Sequence, residues 1–243
     1  MWMQNRVKES QIPEIKITSR LAGVAELVIN GEPVADIGSD HALLACYLVA
    51  GGHCPWAICG ELRDGPYQRT LQAVRMYGLE SLIRVRQGNG LEVLACGEVS
   101  TVVLAGMGGN TIIDILSTSP GKTQSFNRLV LQPMNALAEV RRLASVNGWR
   151  IESETVVRDG DYYVNLVLNP QYKQDYTLSE AQLRWGPLLM QNIKEPIVRD
   201  YYNFQLDKLN QIIAGIPDQS SRRSLVQKQV YEKRKKELED VLR

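Results

Sequence analysis

Val34-Ala35-Asp36-Ile37-Gly38-Ser39-Asp40-His41-Ala42 begins as a short buried strand, turns at Gly38, and runs into a helix over His41 to Ala50. The alternation extends outward on both sides. Before it, Lys16 to Ile29 places Ile17, Leu21, Val24, Ala25 and Val28 on one helical face. After it come a strand over Pro55 to Gly60, a helix over Asp64 to Tyr77 closed by Gly78, and strands over Leu82 to Arg86 and Thr101 to Ala105. Gly109 to Leu116, Arg128 to Leu131, Ala136 to Asn147, Arg150 to Val157 and Tyr162 to Leu168 complete the series. The last two are strands joined by a hairpin-type turn, Arg158-Asp159-Gly160-Asp161. Such a βαβ series predicts an α/β fold: a mostly parallel sheet, right-handed crossovers and an antiparallel last strand.

The pattern changes after Pro170, which divides the chain into residues 1–170 and 171–243. Leu206, Leu209, Ile213 and Ile216 follow the 3-4-3 spacing of a coiled-coil seam, and Tyr231, Leu238 and Val241 give a weaker second one. Two antiparallel helices separated by Gly215-Ile216-Pro217-Asp218 follow from this, with a helical lead-in over Ser179 to Asn192.

Composition excludes several classes. Of 243 residues, 44% are apolar and 23% charged, the balance of a folded globular chain. The longest apolar stretch, Ala42 to Gly52, is about half the length of a membrane span. The segment MWMQNRVKES lacks the apolar region of a signal peptide. Cys46, Cys54, Cys59 and Cys96 form no CxxC pair, which argues against a disulfide framework and a zinc site, so no metal is expected. These features predict a reduced, cytoplasmic protein. Net charge is only +1, but Arg222 to Lys236 carries seven basic residues against one acid, Glu232. That asymmetry fits either a polyanion contact or a solvated helix face.

Ligands bind at the carboxyl ends of parallel strands, where the strand order reverses. The first such end, Asp36-Ile37-Gly38, is not a dinucleotide fingerprint, because two of the glycines of G-x-G-x-x-G are missing. An acid ahead of the glycine suits a ligand with an amino acid moiety, whose ammonium it can accept from. Twenty-five residues on, the second strand ends in Glu61, placed to take both hydroxyls of a ribose. The third ends in Gly88-Asn89-Gly90, where Asn89 can pair with an adenine edge. The fourth ends in Ala105-Gly106-Met107-Gly108-Gly109, whose glycines let backbone approach a bulky ligand. Together the four loops describe a pocket for a ribonucleoside bearing an amino acid, and S-adenosyl-L-methionine is the candidate.

DIGSDHA (36–42), Gly60-Glu61, Asp64-Gly65-Pro66-Tyr67, Val85-Arg86-Gln87-Gly88, AGMGG (105–109), Leu131-Gln132-Pro133 and Gly186-Pro187 together resemble the bacterial tRNA N1-adenine methyltransferases of the TrmK type. The resemblance implies a Rossmann-like class I methyltransferase fold with a C-terminal helical coiled-coil domain. It also implies methylation of N1 of adenine 22 in tRNA, with S-adenosyl-L-methionine as cofactor. By that likeness Asp36, Gly38 and His41 lie along the methionine portion, Glu61 holds the ribose, Asn89 with Gly90 contacts the adenine, and Ser39 and Leu62 also belong to the cofactor site. Ala105, Gly106, Met107 and Gly108 flank the methyl group and the target base. Asp40 matches an acid the family needs for activity. Arg20, Arg222 and Arg223 are expected on tRNA phosphates.

N1 of adenine attacks through an in-plane lone pair, so no proton need leave first and alignment is most of the task. A carboxylate at Asp40 accepting from the 6-amino group would orient the base, stabilise charge growing on the ring, and take a proton afterwards. Ser39 and Asp40 are equally good N-caps for the helix at His41, and that alternative stays open. Departures from the family pattern concentrate on the substrate side. They are Thr18-Ser19-Arg20-Leu21 for SKRL, Leu43 for Tyr, Asn89 for Asp, Met134-Asn135 for the Asn of LQPN, and Gly160-Asp161-Tyr162-Tyr163-Val164 for GKxYE. A methyltransferase for another RNA or a small molecule, or a non-catalytic module on the same fold, stays open for that reason. Oligomeric state is open too, since the 206–216 seam can pair within or between chains.

Overall fold

A computed structural model of the chain describes residues 15–217 and 221–243. The segment read for a leader, and Asp218 of the inter-helix break, lie outside them. Among the described residues the order is α1 (Ser19–Ala25), β1 (Val34–Ile37), α2 (Leu43–Ala50), β2 (Ala57–Glu61), α3 (Asp64–Met76), β3 (Ile83–Gln87), a 3-10 turn (Gly90–Val93), β4 (Thr101–Met107), α4 (Gly109–Thr118), α5 (Pro120–Thr123), β5 (Arg128–Pro133), α6 (Leu137–Val146), β6 (Arg150–Asp159) and β7 (Asp161–Asn169). Four helices follow: α7 (Glu180–Trp185), α8 (Pro187–Gln191), α9 (Pro196–Ala214) and α10 (Arg222–Leu242). The sheet order is β3-β2-β1-β4-β5-β7-β6. β1 pairs in parallel with both β2 and β4, so the order reverses at β1, while β6 and β7 pair antiparallel. This is the doubly wound arrangement with an antiparallel final hairpin that the sequence predicts. No helix among the described residues is long and apolar enough to cross a membrane.

By compactness the chain divides into two units. The first runs to Ala105 and adds Ile115–Val130. β1 and β2 are buried along their whole length, as parallel strands covered on both faces must be. α2 buries Leu44, Ala45, Cys46, Leu48 and Val49 in one cluster with Val34, Ala57, Cys59 and Val103. α1 is shorter than the expected Lys16 to Ile29. Thr18 caps its start by accepting from the N–H of Leu21, and the last turn tightens to Leu27 N–H on Val24 O and Val28 N–H on Ala25 O. α2 starts at Leu43 rather than His41, for a backbone reason given below.

The second unit comprises Gly106–Asp114 and Leu131–Arg243. Gly160, at φ +72°, turns the β6–β7 hairpin, with Asp159 opposite Asp161. The lead-in expected as one helix over Ser179 to Asn192 is two. Gly186 sits at φ +94° and Pro187 opens α8. Behind Gly186 runs an ion pair with no side-chain exposure: Arg141 Nε donates to Glu154 Oε1 at 2.7 Å. A Cβ at position 186 would stand 2.6 Å from Arg141 Nη2 and 2.8 Å from Glu154 Oε2. The other Glu154 oxygen accepts the N–H of Leu188 at the start of α8. α9 and α10 pack together through Leu209 and Leu238, which share a cluster with Trp185, Tyr202 and the hairpin residues Val156 and Val164. Ile216, counted in the seam, lies beyond the end of α9.

Candidate active site

β1 delivers Asp36 to the carboxyl edge of the sheet, in register with Cys59 on β2 and Val103 on β4. The chain turns there: Gly38 is at φ +74° and its N–H donates to Gly60 O at 2.8 Å. Gly60 permits the approach, because a Cβ on it would meet Ile37 Cδ1 at 2.8 Å and Val93 Cγ2 at 2.9 Å. Beyond the turn Asp40, His41 and Ala42 all take positive φ, at +23°, +86° and +52°. That region is unfavourable for residues with a Cβ, and such strain persists only where surrounding contacts impose it.

Glu61 imposes it. Its Oε1 accepts the backbone N–H of Asp40 at 2.7 Å, the Ser39 hydroxyl at 3.1 Å and the Thr70 hydroxyl at 3.3 Å. Glu61 is buried, and three donors on one oxygen offset the cost of burying its charge. Oε2 has no partner among the described residues. The loop geometry also overturns the capping alternative. The N-cap of α2 is Ala42, in the left-handed region with no side-chain hydrogen bond, so neither Ser39 nor Asp40 caps it.

The Asp40 carboxylate instead meets Arg69, a residue the sequence reading missed. Arg69 Nε and Nη2 both donate to Oδ1, at 3.0 and 2.8 Å, and His41 Nε2 lies 3.8 Å from the same oxygen. Oδ2 has no partner among the described residues, and Asp40 is half-exposed. The signal for Arg69 and Thr70 was position. Both lie in the opening turns of the helix after Glu61, beside the strand ends.

Asp36 is buried, and burial together with the charge of Glu61 pushes its carboxyl up to about 7, against the opposing pull of Arg20. Arg20 is half-buried, and its charge reaches Asp36. Burial pushes the Cys46 thiol up to about 12 and holds Cys59 well above the usual thiol range, so neither supplies a thiolate. The loop after β3 is tied to the same edge, since Gly88 N–H donates to Glu61 O at 2.9 Å. Asn89 follows in extended conformation, and a Cβ on Gly90, which sits at φ +52°, would stand 3.0 Å from Ile115 Cγ1. Leu62 is exposed. Thus Asp36, Gly38, Ser39, Asp40, His41, Glu61, Leu62, Asn89 and Gly90 all lie at one edge of the first unit, to which Ala105 also belongs.

In the second unit, Met107 O accepts the N–H of Met134 at 2.9 Å, and Asn135 Oδ1 accepts the N–H of Gly109 at 3.0 Å. Gly106 and Gly108 bracket Met107 in this loop. Gly109 admits no side chain, because a Cβ there would meet backbone of Asn135 and Ala136. Arg222 and Arg223 are exposed in the first turn of α10.

Residues 34–239 match the family described as tRNA (adenine(22)-N(1))-methyltransferase. The chain belongs to that family. Over 155 residues it is 41% identical to the tRNA (adenine(22)-N(1))-methyltransferase of Bacillus subtilis strain 168, an alignment spanning 63% of this chain and 65% of that protein. The crystal structure of Bacillus subtilis TrmK superposes at TM-score 0.82 and 32% identity, over 95% of this chain and all of that one. A Streptococcus pneumoniae structure in complex with S-adenosyl-L-methionine gives TM-score 0.82 and 32% identity over 94% of this chain and 100% of its own. The TrmK family is thus one of S-adenosyl-L-methionine-dependent tRNA methyltransferases.

Several departures from the TrmK pattern share one place in the second unit. Met134, Asn135 and Asp161 to Val164 line a single cavity of about 260 Å³ with Tyr201, Gln205 and Lys208 of α9. Asn135, one position late for the family motif, still reaches the glycine loop through Gly109. Thr18, where the family pattern begins SKRL, serves as the cap of α1.

Proposed function

We propose that this chain methylates N1 of adenine 22 in tRNA, with S-adenosyl-L-methionine as donor and Asp40 as the residue that positions the base. The observation that carries this reading is the Asp40 loop. Three successive left-handed residues hold a half-exposed carboxylate at the strand edge, bound at one oxygen by Arg69 and, among the described residues, without a partner at the other. The residues present fit the donor. Asp36 is a buried acid near neutrality, matched to an ammonium, and Glu61 keeps Oε2 available for ribose hydroxyls. Gly38, Ser39 and His41 would flank the methionine portion, Leu62 the ribose, and Asn89 and Gly90 the adenine, with Ala105, Gly106, Met107 and Gly108 beside the methyl group. When bound, S-adenosyl-L-methionine supplies an electrophilic methyl group.

The protein's own contribution follows from charge. Asp40 Oδ2 accepts from the 6-amino group, which aligns N1 and stabilises the positive charge that methylation places on the ring. It then accepts the proton that the amino group loses. The target base leaves its stack to reach this carboxylate. Residues 1–170 carry the chemistry, while residues 171–243 grip the tRNA through Arg222 and Arg223 with Arg20 contributing, in the cytoplasm, where tRNA is used. The test is methyl transfer from labelled donor to unmodified tRNA bearing adenine or guanine at position 22. Incorporation that requires adenine supports the reading, and equal incorporation into both transcripts refutes it.

A further inference from the structure

The cavity between the β5–α6 loop, the β6–β7 hairpin and α9 has no part in the steps above, yet its walls are built for a ligand. Three tyrosines line it: Tyr162, Tyr163 and Tyr201. Tyr162 is braced by Phe204 at 5.0 Å, Tyr201 at 5.9 Å and the Arg158 guanidinium at 5.5 Å. Tyr201 is only 8% exposed, and its hydroxyl has no hydrogen-bond partner among the described residues. The Gln205 amide in the same wall has none among them either. The Asn135 carbonyl oxygen is taken by Gly109, and its amide Nδ2 has no partner among the described residues. At the rim, Lys208 Nζ lies 4.1 Å from the centre of the Phe204 ring and 4.0 Å from Asp161.

Aromatic faces, unpaired amide groups and one cation at the mouth form the chemistry that takes a single unstacked base with its phosphate outside. About 260 Å³ suits one base and part of its sugar, and not a longer stack. A base receiving the methyl group must touch the Gly106–Gly109 loop, which is not part of the cavity lining but adjoins it through Asn135 and Met134, so the cavity stands next to the place of the target base. We propose that this cavity is a subsite for a nucleobase that flanks the target adenine in the tRNA. The subsite rests on the tRNA reading above and deepens it, because extracting a neighbouring base helps to expose the target.

The test uses the full chain and two variants. Tyr201→Phe removes one hydroxyl and keeps the ring. Gln205→Ala places a strong helix former at a half-exposed position of α9, so folding is retained. Each is assayed on tRNA with adenine at position 22, and on transcripts abasic at the 5′ or the 3′ neighbour of the target. Affinity for S-adenosylhomocysteine is measured by calorimetry. Each variant is expected to raise KM for tRNA about three- to tenfold, the scale of one lost base contact, and to leave cofactor affinity unchanged. One of the two abasic transcripts raises the wild-type KM by about tenfold. That penalty disappears when both substitutions are combined in one protein. Unchanged KM in both variants, or abasic and protein penalties that add in full at both neighbours, overturns the subsite while wild-type turnover stands. Absence of wild-type methylation of the intact transcript overturns the tRNA reading itself, and the subsite with it.

Discussion

The backbone N–H of Asp40 donates to Oε1 of Glu61 at 2.7 Å, so one buried carboxylate fixes the loop that presents another. In the proposed function Glu61 has two tasks at separate atoms, with Oε1 on the loop and Oε2 for the ribose. Glu61→Gln keeps an acceptor and is expected to lower cofactor affinity about tenfold. Glu61→Ala frees the strained residues as well and lowers it about a hundredfold. Calorimetric titration with S-adenosylhomocysteine measures both, and equal losses would mean that the loop does not depend on Glu61.

Arg69 pairs with Asp40 and is expected to act through it. Asp40→Asn is expected to reduce kcat by about a hundredfold or more, with tRNA KM little changed. Arg69→Ala reduces it about tenfold, and the double variant is no worse than Asp40→Asn alone. Rapid-quench methyl transfer over the four proteins reads the coupling. Full additivity would separate Arg69 from the carboxylate.

Asp36 makes stability depend on pH. Its folded pKa, about 7, lies above the ordinary carboxylate value of 3.8. Below pH 4 the group is protonated in both states. Between pH 4 and 7 the unfolded chain releases its proton and the folded chain does not, so stability falls as pH rises through this window and then levels off. Asp36→Asn removes that loss. Thermal melts without cofactor are expected to show the variant gaining on the wild type from pH 5 to pH 8, and a gap constant with pH would contradict the assignment.

Gly186 guards the buried pair of Arg141 and Glu154. Gly186→Ala drives a methyl group against both charged groups and forces a side chain into a backbone region it resists, at about 3 kcal/mol or more. Glu154→Gln leaves the Arg141 charge in the interior without its counter-ion, at about 3–5 kcal/mol. Denaturant unfolding measures both, and changes below about 1 kcal/mol would show that the ion pair relaxes freely.

Arg222 and Arg223 are expected to contact tRNA phosphates. Replacing both by Ala weakens binding of any tRNA similarly and makes the logarithmic salt slope shallower by roughly one to two. Filter binding across a salt series measures it, and an unchanged slope would remove α10 from the interface.

The strand and helix alternation was legible because burial writes itself into sequence. β1 and β2, covered on both faces, had to be apolar, and the acids and glycines that interrupt them at Asp36, Gly38 and Glu61 stood out for that reason. The missed features depend on backbone conformation or distant partners. His41 reads as a helix start by composition, yet it lies in the left-handed region, next to the Asp40 N–H that Glu61 accepts, so α2 waits until Leu43. Ser179 to Asn192 reads as one helix, yet Gly186 at φ +94° and Pro187 split it, with the ion pair leaving no room for a Cβ at 186.

By itself, the sequence determined the fold class, the order of the loops at the strand ends and the family, because those depend on residue types at fixed spacing along the chain. Only the tertiary structure decided that Arg69 meets Asp40, that Glu61 holds the Asp40 loop, and that three tyrosines and Gln205 line one cavity. Arg69 is 29 residues from Asp40, and Gln205 follows Tyr162 by some forty. No local pattern encodes such meetings, because side chains far apart in the chain are brought together only by how strands and helices pack.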